Sequence, residues 1–189
     1  NSFLFTVVTY FINSLCLLLS PIALIIILGY SYTKRFTAYC HLILGLGLAL
    51  TPIGSYLAVS GKFNIVPLLF SIAVLFWVSG FDIIYALQDE HFDKQRKLHS
   101  IPVLLGRARA IILSKLFHFL TFITLIFSGF IGEFNNFYWI GFTFFSVMLF
   151  YQHTLVEEND ISKVNLAFFT TNSIASIIFG IFVIIDILI

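Results

Sequence analysis

The chain has 189 residues, 60% of them hydrophobic and only 10% charged, with a formal net charge of +1. Soluble domains carry about 25% charged residues, so an ordinary soluble domain is excluded and lipid must be the solvent for most of this surface. The near-neutral balance, without a basic patch interleaved with aromatics, excludes nucleic acid as a partner; Cys16 and Cys40, both in apolar surroundings, form no disulfide framework or zinc knuckle.

In chain order, the hydropathy pattern predicts six or seven membrane segments and an all-α, multi-pass transmembrane bundle over residues 1–189 as a single domain. The run from Ser2 to Ile27 is too long for one upright span, and Ser20-Pro21 is the expected break. One helix then ends near Leu19 and a second runs from Pro21 to about Lys34. The others are His41–Val59, Pro67–Gln88, Arg109–Ile131, Phe137–Leu155 and Val164–Ile189. Pro52 predicts a kink in the third, and Gly45/Ala49 and Gly54/Ala58 have the small-residue spacing of close helix packing. The chain opens on Asn1 and enters an apolar run with no basic leader, which reads as a fragment lacking its N-terminal part.

Basic residues orient the bundle. Lys34 and Arg35 follow the second segment, and Lys94, Arg96, Lys97, Arg107 and Arg109 follow the fourth. Both loops fall on one side, which the positive-inside rule makes cytoplasmic. His153 and Glu157, one turn apart at a helix end, read as solvated boundary residues, and Asp186 as an interfacial, non-catalytic one.

Ten of the 19 Lys, Arg, Asp and Glu residues lie between Asp82 and Lys115, and ionisable groups beside a bilayer mark working sites. Asp89 and Asp93 stand at i and i+4, close enough on a helix to share a cation. Asp82 and Tyr85 continue that stripe deeper into the membrane. Paired carboxylates bind Mg²⁺ through one or two oxygens together with water and substrate phosphate. Lys94, Arg96 and Lys97 beside them neutralise the remaining phosphate charge. The set reads as a Mg²⁺–diphosphate site at the mouth of a membrane helix. His91, His99, His118 and His153 are scattered without zinc spacing, and there is no Gly-rich phosphate loop.

The run Asp82-x-x-Tyr85-Ala86-x-Gln88-Asp89-x-x-x-Asp93, followed by His99-Ser100-Ile101-Pro102 and Gly106, closely resembles the second aspartate-rich motif of the UbiA superfamily of intramembrane aromatic prenyltransferases, nearest to its 4-hydroxybenzoate polyprenyltransferases. Leu19-Ser20-Pro21, Tyr30-Ser31-Tyr32-Thr33-Lys34-Arg35-Phe36-Thr37, His41, Leu44-Gly45 and Thr51-Pro52-Ile53-Gly54 extend the resemblance. The last third of the chain resembles the family only as hydrophobic helices. The family also carries an earlier Asn/Asp-rich motif, and none precedes Leu19 here. The resemblance therefore implies about seven of the family's nine helices, around a central cavity open to the cytoplasm, and about half of the metal site. By itself this chain is expected to be inactive.

The resemblance further implies transfer of a polyprenyl group from an allylic polyprenyl diphosphate to an aromatic acid acceptor in quinone biosynthesis, in a bacterial inner membrane. Asp89 and Asp93 would hold Mg²⁺. Lys34, with Tyr30, Arg35 and Lys94, would bind the diphosphate; Asp82 and Tyr85 would be catalytic, with Asp82 orienting the acceptor or touching the metal through water. Hydroxybenzoate and naphthoate acceptors, hence ubiquinone and menaquinone pathways, both fit. Two other classes fit less well. A CDP-alcohol phosphotransferase needs an Asp-Gly step and an Ala-Arg pair that do not precede Asp82, and a transporter needs repeated halves with midplane charges.

Overall fold

The computed structural model describes all residues from Asn1 to Ile189. It is all-helical: α1 (Ser2–Ile12), α2 (Ser14–Thr33), α3 (Cys40–Ser60), α4 (Ile65–Ala86), α5 (Glu90–Gln95), α6 (Ile101–Leu105), α7 (Arg107–Ile131), α8 (Asn136–Thr154), a π-helical segment (Leu166–Thr171) and α9 (Asn172–Leu188). Five of these stretches are long and apolar enough to cross a membrane: α2, α3, α4, α7 and Leu166–Leu188. α1 is apolar but only 11 residues long, and the 19 residues of α8 are not among the five. With α5 and α6 set aside as short connectors, seven helices fall near the segments expected from hydropathy, but five spans meet the length and apolarity of a crossing where six or seven were expected.

The first break falls elsewhere than expected. It lies at Asn13, which is extended, accepts from the Cys16 N–H through its side chain at 2.8 Å and donates to Leu57 O at 2.9 Å. Pro21 sits inside α2 instead of opening it. A helix-interior proline deprives the carbonyl four residues back of its donor; here Ser20 Oγ donates to Leu17 O at 2.9 Å and makes up that loss. Helix continuation through proline is tolerated in a membrane when a hydroxyl supplies the missing bond. α3 likewise runs on through Pro52, and the N–H of Ile53 donates to Ser71 Oγ of α4.

α4 is the hub, packed against α3 on one side and α7 on the other. The approach is close because small residues line it. A Cβ on Gly45 would overlap Leu75 O and Ser79 Oγ, and one on Gly80 would collide with the His118 ring. Gly54, by contrast, faces open space, so only the Gly45/Ala49 half of the expected small-residue pattern makes a contact. One apolar cluster, including Ile83, Ile84, Leu87, Ile101, Ala110 and Val164, lies under the α4–α7 connection. A second, built around Tyr138, Phe142 and Phe145, joins α8 to α4, α7 and α9. Asp186, near the end of α9, accepts from the N–H groups of Asn135 (2.7 Å) and Tyr138 (3.0 Å) and so caps the start of α8.

Candidate active site at the membrane edge

The expected single stripe from Asp82 to Asp93 is divided between two helices. α4 ends at Ala86. The N–H groups of Leu87, Gln88 and Asp89 bond to Ile84, Tyr85 and Ala86 in tight i→i−3 fashion, and a new short helix starts at Glu90. Asp82 and Tyr85 thus stay on the membrane helix, while Asp89 and Asp93 belong to α5. Asp89 is half-buried at the N-cap position of α5, without a side-chain cap bond, and its carbonyl accepts from the Asp93 N–H at 2.8 Å. The end of α5 is fixed by Lys97, whose φ of 55° is left-handed. From there Leu98 N–H reaches Asp93 O (2.9 Å) and Lys97 N–H reaches Lys94 O (3.3 Å), a Schellman closure that pins the backbone of Asp93.

Asp93 is fully buried. Lys34 Nζ lies 2.9 Å from its Oδ2, yet neither carboxylate oxygen accepts a well-directed hydrogen bond. Buried carboxylates are ordinarily saturated with donors. One that is paired only by charge has lone pairs free for a hard cation, so the donor set fits Mg²⁺. No group of three or more His, Cys, Asp or Glu side chains gathers anywhere in the chain, so any metal at Asp89 and Asp93 would complete its shell with water and substrate oxygens.

The other predicted diphosphate ligands are more dispersed. Tyr30 is exposed on α2 and Arg35 is exposed with its guanidinium over the Tyr32 ring, 5.6 Å from the centroid. Lys94 pairs with Glu90 at 2.6 Å, and Arg107 Nε reaches the other oxygen of Glu90 at 2.7 Å. The Lys94 ammonium, opposed by partial burial and aided by Arg107, holds the Glu90 carboxyl below its ordinary range. Glu90, which sequence reasoning passed over, therefore clamps α5 to the start of α7.

His41 is the second residue missed. Its Nδ1 lies 2.7 Å from Asp82 Oδ2, and its Nε2 accepts from Ile101 N–H at 3.3 Å, which leaves Nδ1 as the donor to Asp82. A histidine at the entry of an apolar segment was the available signal. The loop after α5 ties both pairs together: His99 N–H bonds Lys34 O at 2.8 Å, and two residues later Ile101 meets His41.

From Tyr85 an aromatic wall leads inward. Tyr85 lies against Phe168 of the π-helical segment (4.2 Å between centroids), Phe168 against Phe81 (5.3 Å), and Phe81 against Trp77 (5.4 Å). π-Helical turns recur at functional sites. Trp77 lines an apolar cavity of about 330 Å³ with Phe70, Ala73, Leu125, Phe145 and Phe179.

Comparison with known proteins agrees with this fold. The profile of the UbiA prenyltransferase family matches residues 1–174. The chain is 34% identical over 176 residues to a 4-hydroxybenzoate octaprenyltransferase of Francisella tularensis subsp. mediasiatica (strain FSC147), covering 92% of this chain and 61% of that protein. It is 27% identical over 167 residues to the enzyme of the same name from Photobacterium profundum, covering 88% and 58%. The fold superposes on the apo structure of a UbiA homolog from Aeropyrum pernix K1 with a TM-score of 0.87 and 28% identity, covering 98% of this chain and 69% of that one. The chain thus spans about 60% of the length of these curated relatives. With the family profile spanning nearly all of its helices, the chain belongs to the UbiA prenyltransferase family.

Proposed function

We propose that the protein acts in transfer of a polyprenyl group from an allylic diphosphate to a 4-hydroxybenzoate-like acceptor, and that this chain supplies the donor-binding edge and the chain-binding cavity. The observation that carries this reading is the buried, charge-paired carboxylate of Asp93 beside Lys34; on the preceding helix, α4, an aromatic wall runs from Tyr85 to an apolar cavity. The names of the relatives support the acceptor class.

Asp89 and Asp93 would hold Mg²⁺, which when bound neutralises diphosphate charge as the allylic C–O bond breaks. Lys34 would leave Asp93 for the diphosphate once a metal takes over the carboxylate, so the leaving group and its electron pair would meet a fixed cation. Tyr85, Phe168, Phe81 and Trp77 offer ring faces to the allylic cation and keep water from capturing it as an alcohol. The electron-rich ring of the acceptor forms the new C–C bond and then loses a ring proton. Asp82, oriented by His41 and on a different helix from Asp89 and Asp93, is assigned to the acceptor side. The active edge is assigned to the cytoplasmic face by its concentration of basic loop residues.

The test is thermal denaturation of the purified chain in detergent with Mg²⁺ and an allylic diphosphate. A stabilisation that needs both components, and that is absent from Asp93→Asn, is expected. A shift of equal size in Asp93→Asn rules out the donor-site assignment.

A further inference from the structure

α7 and α8 diverge at the end of the bundle that carries the acid-rich edge, and between them lies a groove of about 410 Å³ lined by Lys115, His118, Phe119, Phe122, Phe150 and His153, among others. It is separate from the site described above, with which it shares no lining residue.

The polar groups of the groove are incompletely used. His118 Nε2 faces Trp77 O at 3.3 Å, so it carries that proton, and its Nδ1 accepts from His153 Nε2 at 2.8 Å. This chain of bonds leaves His153 Nδ1 as a buried acceptor without a donor. Residue spacing alone does not reveal the pairing: His153, expected to be a solvated boundary residue, is drawn against α7 because Gly80 leaves room for the His118 ring against α4. Lys115 joins no ion pair. It lies about 12 Å along α7 from Arg107 at 1.5 Å per residue, inside a helix that is apolar enough to span a membrane. An exposed ammonium without an ion-pair partner, at the mouth of an otherwise apolar groove, suits an anionic ligand.

The lining is ordered along the groove. Lys115 and His153 lie towards the end of the bundle that carries the acid-rich edge. Phe119 and Phe122 follow along α7 towards the bilayer centre, and Phe150 lies inward along α8. Phe119 and Phe150 remain 56% and 70% exposed. A head that is anionic and donates a hydroxyl, followed by an apolar chain running towards the midplane, matches this order group for group. Basic pockets between membrane helices take such headgroups.

We infer that the α7–α8 groove is a binding site for an anionic glycerophospholipid of the surrounding leaflet: its phosphate meets Lys115, a headgroup hydroxyl donates to His153 Nδ1, and an acyl chain lies over Phe119, Phe122 and Phe150. The site is independent of the proposed prenyl-transfer reading.

The test is native mass spectrometry of the purified protein in detergent, titrated with phosphatidylglycerol and, separately, with phosphatidylcholine of the same acyl chains. One saturable phosphatidylglycerol, bound about tenfold more tightly than phosphatidylcholine, is expected. Lys115→Gln should remove that preference and Lys115→Arg should keep it, with the two variants matching wild type in gel-filtration profile. His153→Phe should weaken phosphatidylglycerol and leave phosphatidylcholine unchanged. Inorganic phosphate at millimolar concentration should not displace the lipid, because it lacks the chain. Equal binding of the two lipids, retention of selectivity in Lys115→Gln, or displacement by phosphate alone would each overturn the assignment. The comparison of the two lipids on wild-type protein decides the question even if a variant fails to fold.

Discussion

Lys34 Nζ lies 2.9 Å from Asp93 Oδ2, so the cation expected to bind diphosphate and the carboxylate expected to bind metal neutralise each other. A fully buried carboxylate left without that ammonium is strongly unfavourable. Under the proposed function the pairing would act as a stored exchange: metal for lysine on Asp93, diphosphate for aspartate on Lys34.

Lys34→Gln is therefore expected to do two things. It should lower the melting temperature of the protein in detergent, because Asp93 loses its only charge partner. In a prenyl-transferring protein that contains this segment, it should also raise the donor requirement by about ten- to a hundredfold, the value of one charge-assisted contact of about 1.5–3 kcal/mol. Arg35→Gln should do neither, since Arg35 is exposed over Tyr32. Equal effects of the two substitutions in a melting and steady-state comparison would reduce Lys34 to a topology signal.

In a prenyl-transferring protein that contains this segment, Asp89→Asn and Asp93→Asn should abolish prenyl transfer at any reachable Mg²⁺ concentration while leaving the helical content by circular dichroism intact. A neutral amide cannot replace the charge neutralisation of a bound metal. Asp93→Asn should in addition be more tolerant of Lys34→Gln than the wild-type protein is, because no buried charge then remains. A double-mutant cycle on melting free energy measures that coupling.

His41→Phe removes both the donor to Asp82 Oδ2 and the acceptor of the Ile101 N–H. In a prenyl-transferring protein that contains this segment, turnover should fall at least tenfold, the effect of losing one fixed hydrogen bond of about 1.4 kcal/mol. The Mg²⁺–diphosphate thermal shift should persist. If that shift disappears along with turnover, Asp82 belongs to the metal site and not to the acceptor.

Glu90 sets the acid limit of the α5–α7 clamp. Its folded carboxyl lies below the ordinary range through Lys94 first, with Arg107 adding to it. A depressed folded value contributes stability above the unfolded value of about 4.3 and loses it as pH falls through the folded value. Melting temperature should therefore drop between about pH 4.5 and more acidic conditions, and Glu90→Gln should flatten that slope while lowering stability at neutral pH. An unchanged slope in Glu90→Gln would mean that the clamp is not coupled to folding.

Asp186→Ala should destabilise the protein by about 1–2 kcal/mol without affecting the donor-dependent shift, because its loss uncaps α8 far along the chain from the acid-rich edge. Chemical denaturation in mixed micelles reads the first effect and the ligand melt the second.

The features legible in the sequence are those that depend on quantities local along the chain. Runs of about 20 apolar residues have one favourable solvent, so the long helices, the charge-poor membrane segments and the crowding of charge between Asp82 and Lys115 could all be read without coordinates. The nine-residue span from Asp89 to Lys97 carries the residue types of a cation–phosphate site, which is the basis of the proposal above. Which partners those groups have is settled by packing in three dimensions. A proline looks like a break until the neighbouring Ser20 is seen to restore the lost bond to Leu17, and Asn13 becomes the break because it can cap α2 and reach Leu57 of α3. The acidic stripe divides at Leu87–Asp89 because the end of α4 tightens into i→i−3 bonds. His41 with Asp82, His118 with His153 and Asp186 with the start of α8 are joined across 41, 35 and about 50 residues. Hydropathy fixes which segments enter lipid; it carries no information on how those segments turn about their axes, and that rotation chooses every polar pair inside the bundle.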